Sequence, residues 1–125
     1  MKNIHRAQGF TLVEIMIVVG IIGLLAAIAI PNFVKARSTS QQNACINNMR
    51  QINSAVLQWS TETGQAAGSP APNMNTDLTP YIQLNANSSV PLCPANGTYT
   101  INNIGVVPQV VCSLSTLSAN PHMLQ

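Results

Sequence analysis

Residues 10–30 read FTLVEIMIVVGIIGLLAAIAI, a 21-residue apolar run interrupted by one carboxylate, Glu14. At about 1.5 Å per residue, a helix of this length measures roughly 31 Å, enough to cross the hydrocarbon core of a bilayer. An ionised carboxylate inside that run costs on the order of a few kcal/mol on insertion scales, so Glu14 is expected to have a dedicated partner. The blander reading is a carboxylate that snorkels to the interface near the end of an anchor helix, with no part in assembly.

Ahead of the run stands MKNIHRAQG, whose Lys2, His5 and Arg6 form a basic leader like the first region of an export signal. An ordinary secretory signal is cut after its apolar stretch, at small residues; here Ala26, Ala27 and Ala29 lead into Pro31 and match such a site poorly. The alternative cut precedes the run, between Gly9 and Phe10. Gly9, Phe10, Thr11, Leu12, Val13 and Glu14, following a short basic leader, resemble the processing site of type IV prepilins and of type II secretion pseudopilins. The resemblance is strong over residues 1–63 and holds in outline beyond them. It implies a prepilin peptidase that cuts after Gly9, N-methylation of the new terminal Phe10, and a leader in the cytoplasm. It also implies an inner-membrane assembly platform and its ATPase as partners, and a homopolymer as the product.

Physical reasoning supports that cut independently. It leaves a cationic amine on Phe10, four residues before Glu14 and on the same helical face, so the amine of one subunit can meet the Glu14 carboxylate of a neighbour. At about 4 Å and an effective dielectric near 20 such a pair gains roughly 4 kcal/mol, comparable to the penalty for holding Glu14 in lipid. Burial therefore favours association, and Glu14 is the expected assembly residue. Further along, Pro31 lacks the amide that would bond Ala27, and Gly23 lowers helix propensity by about 1 kcal/mol relative to alanine. Residues 23–31 are thus the weakest part of the helix, and the resemblance to type IV pilins implies that this stretch melts when subunits leave lipid for a filament.

Removing residues 1–9 leaves Lys35, Arg37 and Arg50 against Glu14, Glu62 and Asp77, a formally neutral chain. Only 6% of residues are charged, so the surface is neutral and polar, and no nucleic acid is expected as a direct ligand. From Pro31 a second helical stretch is predicted to run to Thr63, with Gly64 as its stop. Cys45, Met49, Ile52, Val56 and Trp59 fall on one stripe of it, opposite Asn47, Asn48, Arg50, Gln51, Ser54 and Gln58. Residues 64–75 read as a loop, and residues 76–84 as a short helix or turn pointing Leu78, Tyr81 and Ile82 inward. Residues 98–101 and 109–112 read as two β-strands joined by a loop containing Gly105 and Pro108. The expected organisation is a leader (1–9), a transmembrane and filament-core helix (10–30), an amphipathic helix (31–63) and a small globular head (64–125). The fold class is α+β and pilin-like: a long N-terminal α-helix packed against a small antiparallel sheet.

A head this small gains from covalent help, and Cys93 and Cys112 bracket the proposed hairpin. A bridge across that loop stabilises by roughly 3 kcal/mol in the chain-entropy model and suits an exported chain. Three cysteines allow three single pairings; Cys93 with Cys112 is the expected one, leaving Cys45 as a small buried residue on its stripe. No metal site and no cofactor are expected, because no CxxC pair is present and only His122 remains after the leader. No catalytic residue is expected either: a serine, Asp77 and His122 exist, but no nucleophile elbow accompanies them. The leading expectation is a structural subunit of a type IV pilus-like filament serving adhesion, twitching or DNA uptake. It would sit in the inner membrane as a single span before assembly, and in an extracellular or periplasmic filament afterwards. A type II secretion pseudopilin is the close alternative, and a membrane-anchored binding protein that never polymerises is the third.

Overall fold

The computed structural model describes residues 9–85, 89–116 and 121–124; leader residues 1–8, with Lys2, His5 and Arg6, lie outside them. Helix α1, Leu12–Thr63, is 52 residues long. Thr11 caps its start: the Thr11 hydroxyl oxygen accepts the Glu14 amide at 3.2 Å, the geometry favoured by a Thr-x-x-Glu opening. The helix continues through Gly23 and Pro31, so the stretches read as 10–30 and 31–63 form one element. It ends where Thr63 and Gly64 predicted. Gly64 takes a left-handed φ of 68°, and the Gln65 amide reaches back to the Ser60 carbonyl at 2.9 Å, closing the helix in a Schellman pattern.

Two compact units divide the chain, Met1–Ala36 and Arg37–Gln125. In the first, none of the most apolar 18-residue window is buried. Its large apolar side chains between Phe10 and Val34 are 48–81% exposed on every side of the helix. An isolated soluble helix does not keep such a surface; lipid or other protein must cover it.

The second unit is organised by the stripe. Cys45, Met49, Ile52, Ala55, Val56 and Ser60 of α1 are buried, against Leu78, Ile82, Val90, Cys93, Ile104, Val110 and Cys112. Trp59 departs from its expected place as the anchor of the stripe: it is half-buried at the margin of the core, and Ser60 occupies the buried position. Ser60 meets the requirement of burial by donating its hydroxyl to the Leu57 carbonyl at 2.9 Å.

Residues 64–75 form the predicted loop, fixed by paired bonds: the Gly68 amide donates to the Ile104 carbonyl (2.7 Å) and the Ile104 amide to the Ser69 carbonyl (3.0 Å). For residues 76–84 the outcome is turns rather than a helix. Asp77 accepts the Asn73 amide at 2.8 Å and the Thr76 hydroxyl at 3.1 Å, side-chain bonds that compete with a helical ladder, and Pro80 has no amide to extend one. Leu78 and Ile82 nevertheless face inward as expected, with Tyr81 half-buried. Strands β1 (Tyr99–Ile101) and β2 (Val110–Cys112) pair antiparallel, with Tyr99 opposite Cys112, Thr100 opposite Val111 and Ile101 opposite Val110. The layout is the α+β, pilin-like one: a long helix and a two-stranded sheet.

Candidate functional site

Two features gather the residues singled out by sequence. The first is the entry to α1. Gly9 and Phe10 precede the helix and are exposed, Phe10 at 81%, and nothing approaches the Gly9 α-carbon side. Glu14 lies in the first turn, where amide dipoles point toward it and favour negative charge. Gly23 and Pro31 lie within unbroken helix.

The second feature lies in the core. The Sγ atoms of Cys45, Cys93 and Cys112 and a ring nitrogen of His122 all lie within 4.8 Å of one another, and all four residues are buried. They come from α1, from the turn after Pro91, from β2 and from the segment following residue 120. Cys45, Cys93 and Cys112 are unbridged in this structure, with Cys93 and Cys112, the pair expected to bridge, side by side in the cluster. That pairing is expected because Cys93 and Cys112 bracket the hairpin; the structure brings Cys45 into the same cluster as well. The expectation of no metal site rests on local spacing, and tertiary structure brings together three cysteines and a histidine from positions 45, 93, 112 and 122.

Polar contacts surround the sulfurs. His122 Nδ1 is 3.6 Å from Cys93 Sγ, and the Tyr99 hydroxyl donates to Cys45 Sγ at 3.4 Å. Burial acts to raise the Cys93 thiol, yet hydrogen bonds from the Ala95 amide, from Cys45 and from the Gly97 amide outweigh it and hold it below its ordinary value. Burial pushes the Cys45 thiol up to about 12. Gly97 is required by closeness rather than by backbone angle: a Cβ there would stand 2.7 Å from Cys112 Sγ and 3.2 Å from Cys93 Sγ. The hydrogen bonds of the Gln42 amide to the Pro121 carbonyl (2.7 Å) and of the His122 amide to the Leu114 carbonyl (3.3 Å) hold His122 in place. Sequence reasoning missed Cys45, Gly97 and His122 as members of one site; its single clue was that an odd number of cysteines cannot all pair. Asp77 accepts bonds from Asn73 and Thr76, and His122 faces Cys93.

Helix α1 opens within the sequence Gly-Phe-Thr-Leu-Val-Glu and is, by length and composition, long and apolar enough to cross a membrane. Residues 4–30 match the family model for the prokaryotic N-terminal methylation motif. The chain is 49% identical over 57 residues to a type IV major pilin protein PilA of Myxococcus xanthus, covering 46% of this chain and 26% of that one. It is 42% identical over 65 residues to the type IV narrow pilus major component PilA5 of Thermus thermophilus, covering 52% of this chain and 53% of that one. A type II secretion system core protein G of Vibrio cholerae is 32% identical over 56 residues, 45% of this chain and 38% of that one. The chain thus aligns with about half or less of the length of each of these relatives. No solved structure matches it. Over its N-terminal half the chain is thus similar to type IV pilins and to a type II secretion core protein, and it carries their prokaryotic N-terminal methylation motif.

Proposed function

We propose that this chain is a structural subunit of a type IV pilus-like filament. The observation that carries the reading is the helix of the first unit, apolar and exposed on every side, with one carboxylate in its first turn. Such a surface suits lipid before assembly and the equivalent helices of other subunits afterwards. The reading includes cleavage by a prepilin peptidase after Gly9 and N-methylation of Phe10. The terminal amine of one subunit then pairs with Glu14 of a neighbour. The inner-membrane assembly platform and its ATPase drive the transfer, and the chain itself has no enzymatic role. On assembly, residues 23–31 exchange helical bonds for bonds to neighbours, and each residue converted to extended chain adds roughly 1.5–2 Å. A filament reconstruction that kept unbroken helix from Gly23 to Ile30 would overturn that last step.

The similarity to the Vibrio core protein G supports a second reading, a subunit of a type II secretion pseudopilus. Electron microscopy of material sheared from the cell surface separates the readings: filaments built of this chain support the pilus, whereas a secretion defect without surface filaments supports the pseudopilus. A non-polymerising anchored protein would instead be extracted as monomers and would tolerate loss of Glu14.

A further inference from the structure

We propose that Cys45, Cys93, Cys112 and His122 bind one zinc ion in a tetrahedral Cys3His site that ties the head to helix α1. With Zn–S near 2.3 Å and Zn–N near 2.0 Å, tetrahedral angles require S···N edges of about 3.5 Å and S···S edges of about 3.8 Å. The Cys93 Sγ to His122 Nδ1 distance is already 3.6 Å, and the whole set fits within 4.8 Å, so closure on an ion needs movements of about 1 Å or less. Three thiolates and an imidazole are a soft donor set that suits zinc and excludes calcium or magnesium, which take oxygen ligands.

A disulfide is the competing use of the same sulfurs, and the arrangement fits it less well. Any one bridge consumes two cysteines and strands a third buried thiol beside a buried imidazole, whereas a tetrahedral ion uses all four side chains. The surroundings also suit a charged cluster. Three thiolates against a divalent ion leave one net negative charge, and the Ala95 and Gly97 amides on Cys93 and the Tyr99 hydroxyl on Cys45 are donors placed to offset it. Gly97 leaves open the space beside Cys112 Sγ that any side chain would fill. The ligands come from four separate stretches, so the ion would crosslink a head whose sheet has only two short strands, the situation in which small folds use metals for stability.

The test uses the full chain extracted in detergent under anaerobic conditions. Metal analysis should find one zinc per chain, and X-ray absorption a shell of three sulfurs near 2.3 Å and one nitrogen near 2.0 Å. Cobalt exchanged into the site should show the visible bands of tetrahedral thiolate coordination. His122→Ala and Cys45→Ser should each weaken zinc binding at least ~10-fold in chelator competition, the lower bound set by losses of mere outer-shell partners. Gly97→Ala keeps every ligand and should also lower affinity, by crowding Cys112. Should a cysteine variant fail to fold, the zinc content and cobalt spectrum of the unaltered chain still decide. Extraction of a zinc-free chain carrying a disulfide among these three cysteines overturns the proposal. So does failure of the reduced chain to take up one equivalent of zinc, or zinc uptake that His122→Ala leaves unchanged.

Discussion

Residues 12–36 and 45–60 belong to one α-helix and solve opposite problems. The first stretch is apolar on all sides and buries nothing within the chain; the second is apolar on one stripe and buries Cys45, Met49, Ile52, Ala55 and Val56 completely or nearly so. Secondary structure is the same in both, so it says nothing about where their stabilisation comes from. The second stretch is stabilised by contacts inside its own unit. The first buries no large apolar side chain within the chain, and on the proposed reading lipid or other copies cover its apolar surface. Substitutions in the two stretches should therefore register in different assays, assembly for one and unfolding for the other.

The largest effect is expected from Glu14→Ala. Loss of a pairing worth roughly 4 kcal/mol corresponds to about a thousandfold in association, so sheared filaments should vanish while membrane insertion stays intact or improves. Normal filament yield from this variant would remove the pairing between Glu14 and the Phe10 amine. Next comes a matched pair of truncations. Met49→Ala in the buried stripe should lower unfolding stability of the second unit by about 2–5 kcal/mol, whereas Ile22→Ala should leave it within about 0.5 kcal/mol. Denaturant titration followed by Trp59 fluorescence measures both, and equal losses would break the contrast between the stretches.

A smaller pair inverts sign. Gly64 holds a left-handed φ with open space around it, so Gly64→Ala should destabilise by about 1 kcal/mol through backbone strain alone. Gly23 sits in helix with the same open space, so Gly23→Ala should stabilise by about 1 kcal/mol, read as slower amide exchange over residues 24–30. Of similar size is Gln42→Ala, which removes the side-chain bond to the Pro121 carbonyl and should reduce stability by about 0.5–1.5 kcal/mol in the same titration.

What was legible in the sequence follows from how far each signal travels along the chain. The apolar run, the stripe through Met49, Ile52 and Val56, the stop at Gly64 and both strands are written in neighbouring residues, through periodicity and turn chemistry. They emerged within a residue or so of their expected bounds. Residues 76–84 were ambiguous because Asn73 and Asp77 offer side-chain bonds that compete with the helix, and only tertiary packing of Leu78 and Ile82 fixes the turn. Trp59 and Ser60 are adjacent positions on the edge of a stripe, where a rotation of one residue exchanges margin for core. The thiol cluster was illegible because its members stand at 45, 93, 112 and 122, and no spacing rule connects a helix position to residues so far downstream. Entry chemistry at Gly9, Phe10 and Glu14 shows the reverse: its motif was plain in the sequence, while the fold contributes only its exposure.

The two-stranded sheet has a consequence for crowding. In a filament, heads stand beside one another at very high local concentration, and a long, flat strand edge exposed there would recruit its neighbours into continuous pairing of the kind that builds amyloid. Both strands of this sheet are edges, yet each is three residues long, and β1 turns a threonine, Thr100, outward at its centre. Strands so far below the usual five or six residues offer too few backbone groups to template another chain. If the chain builds the proposed filament, heads of this design can be packed densely without their sheets fusing, because strands this short give a neighbour little to pair with.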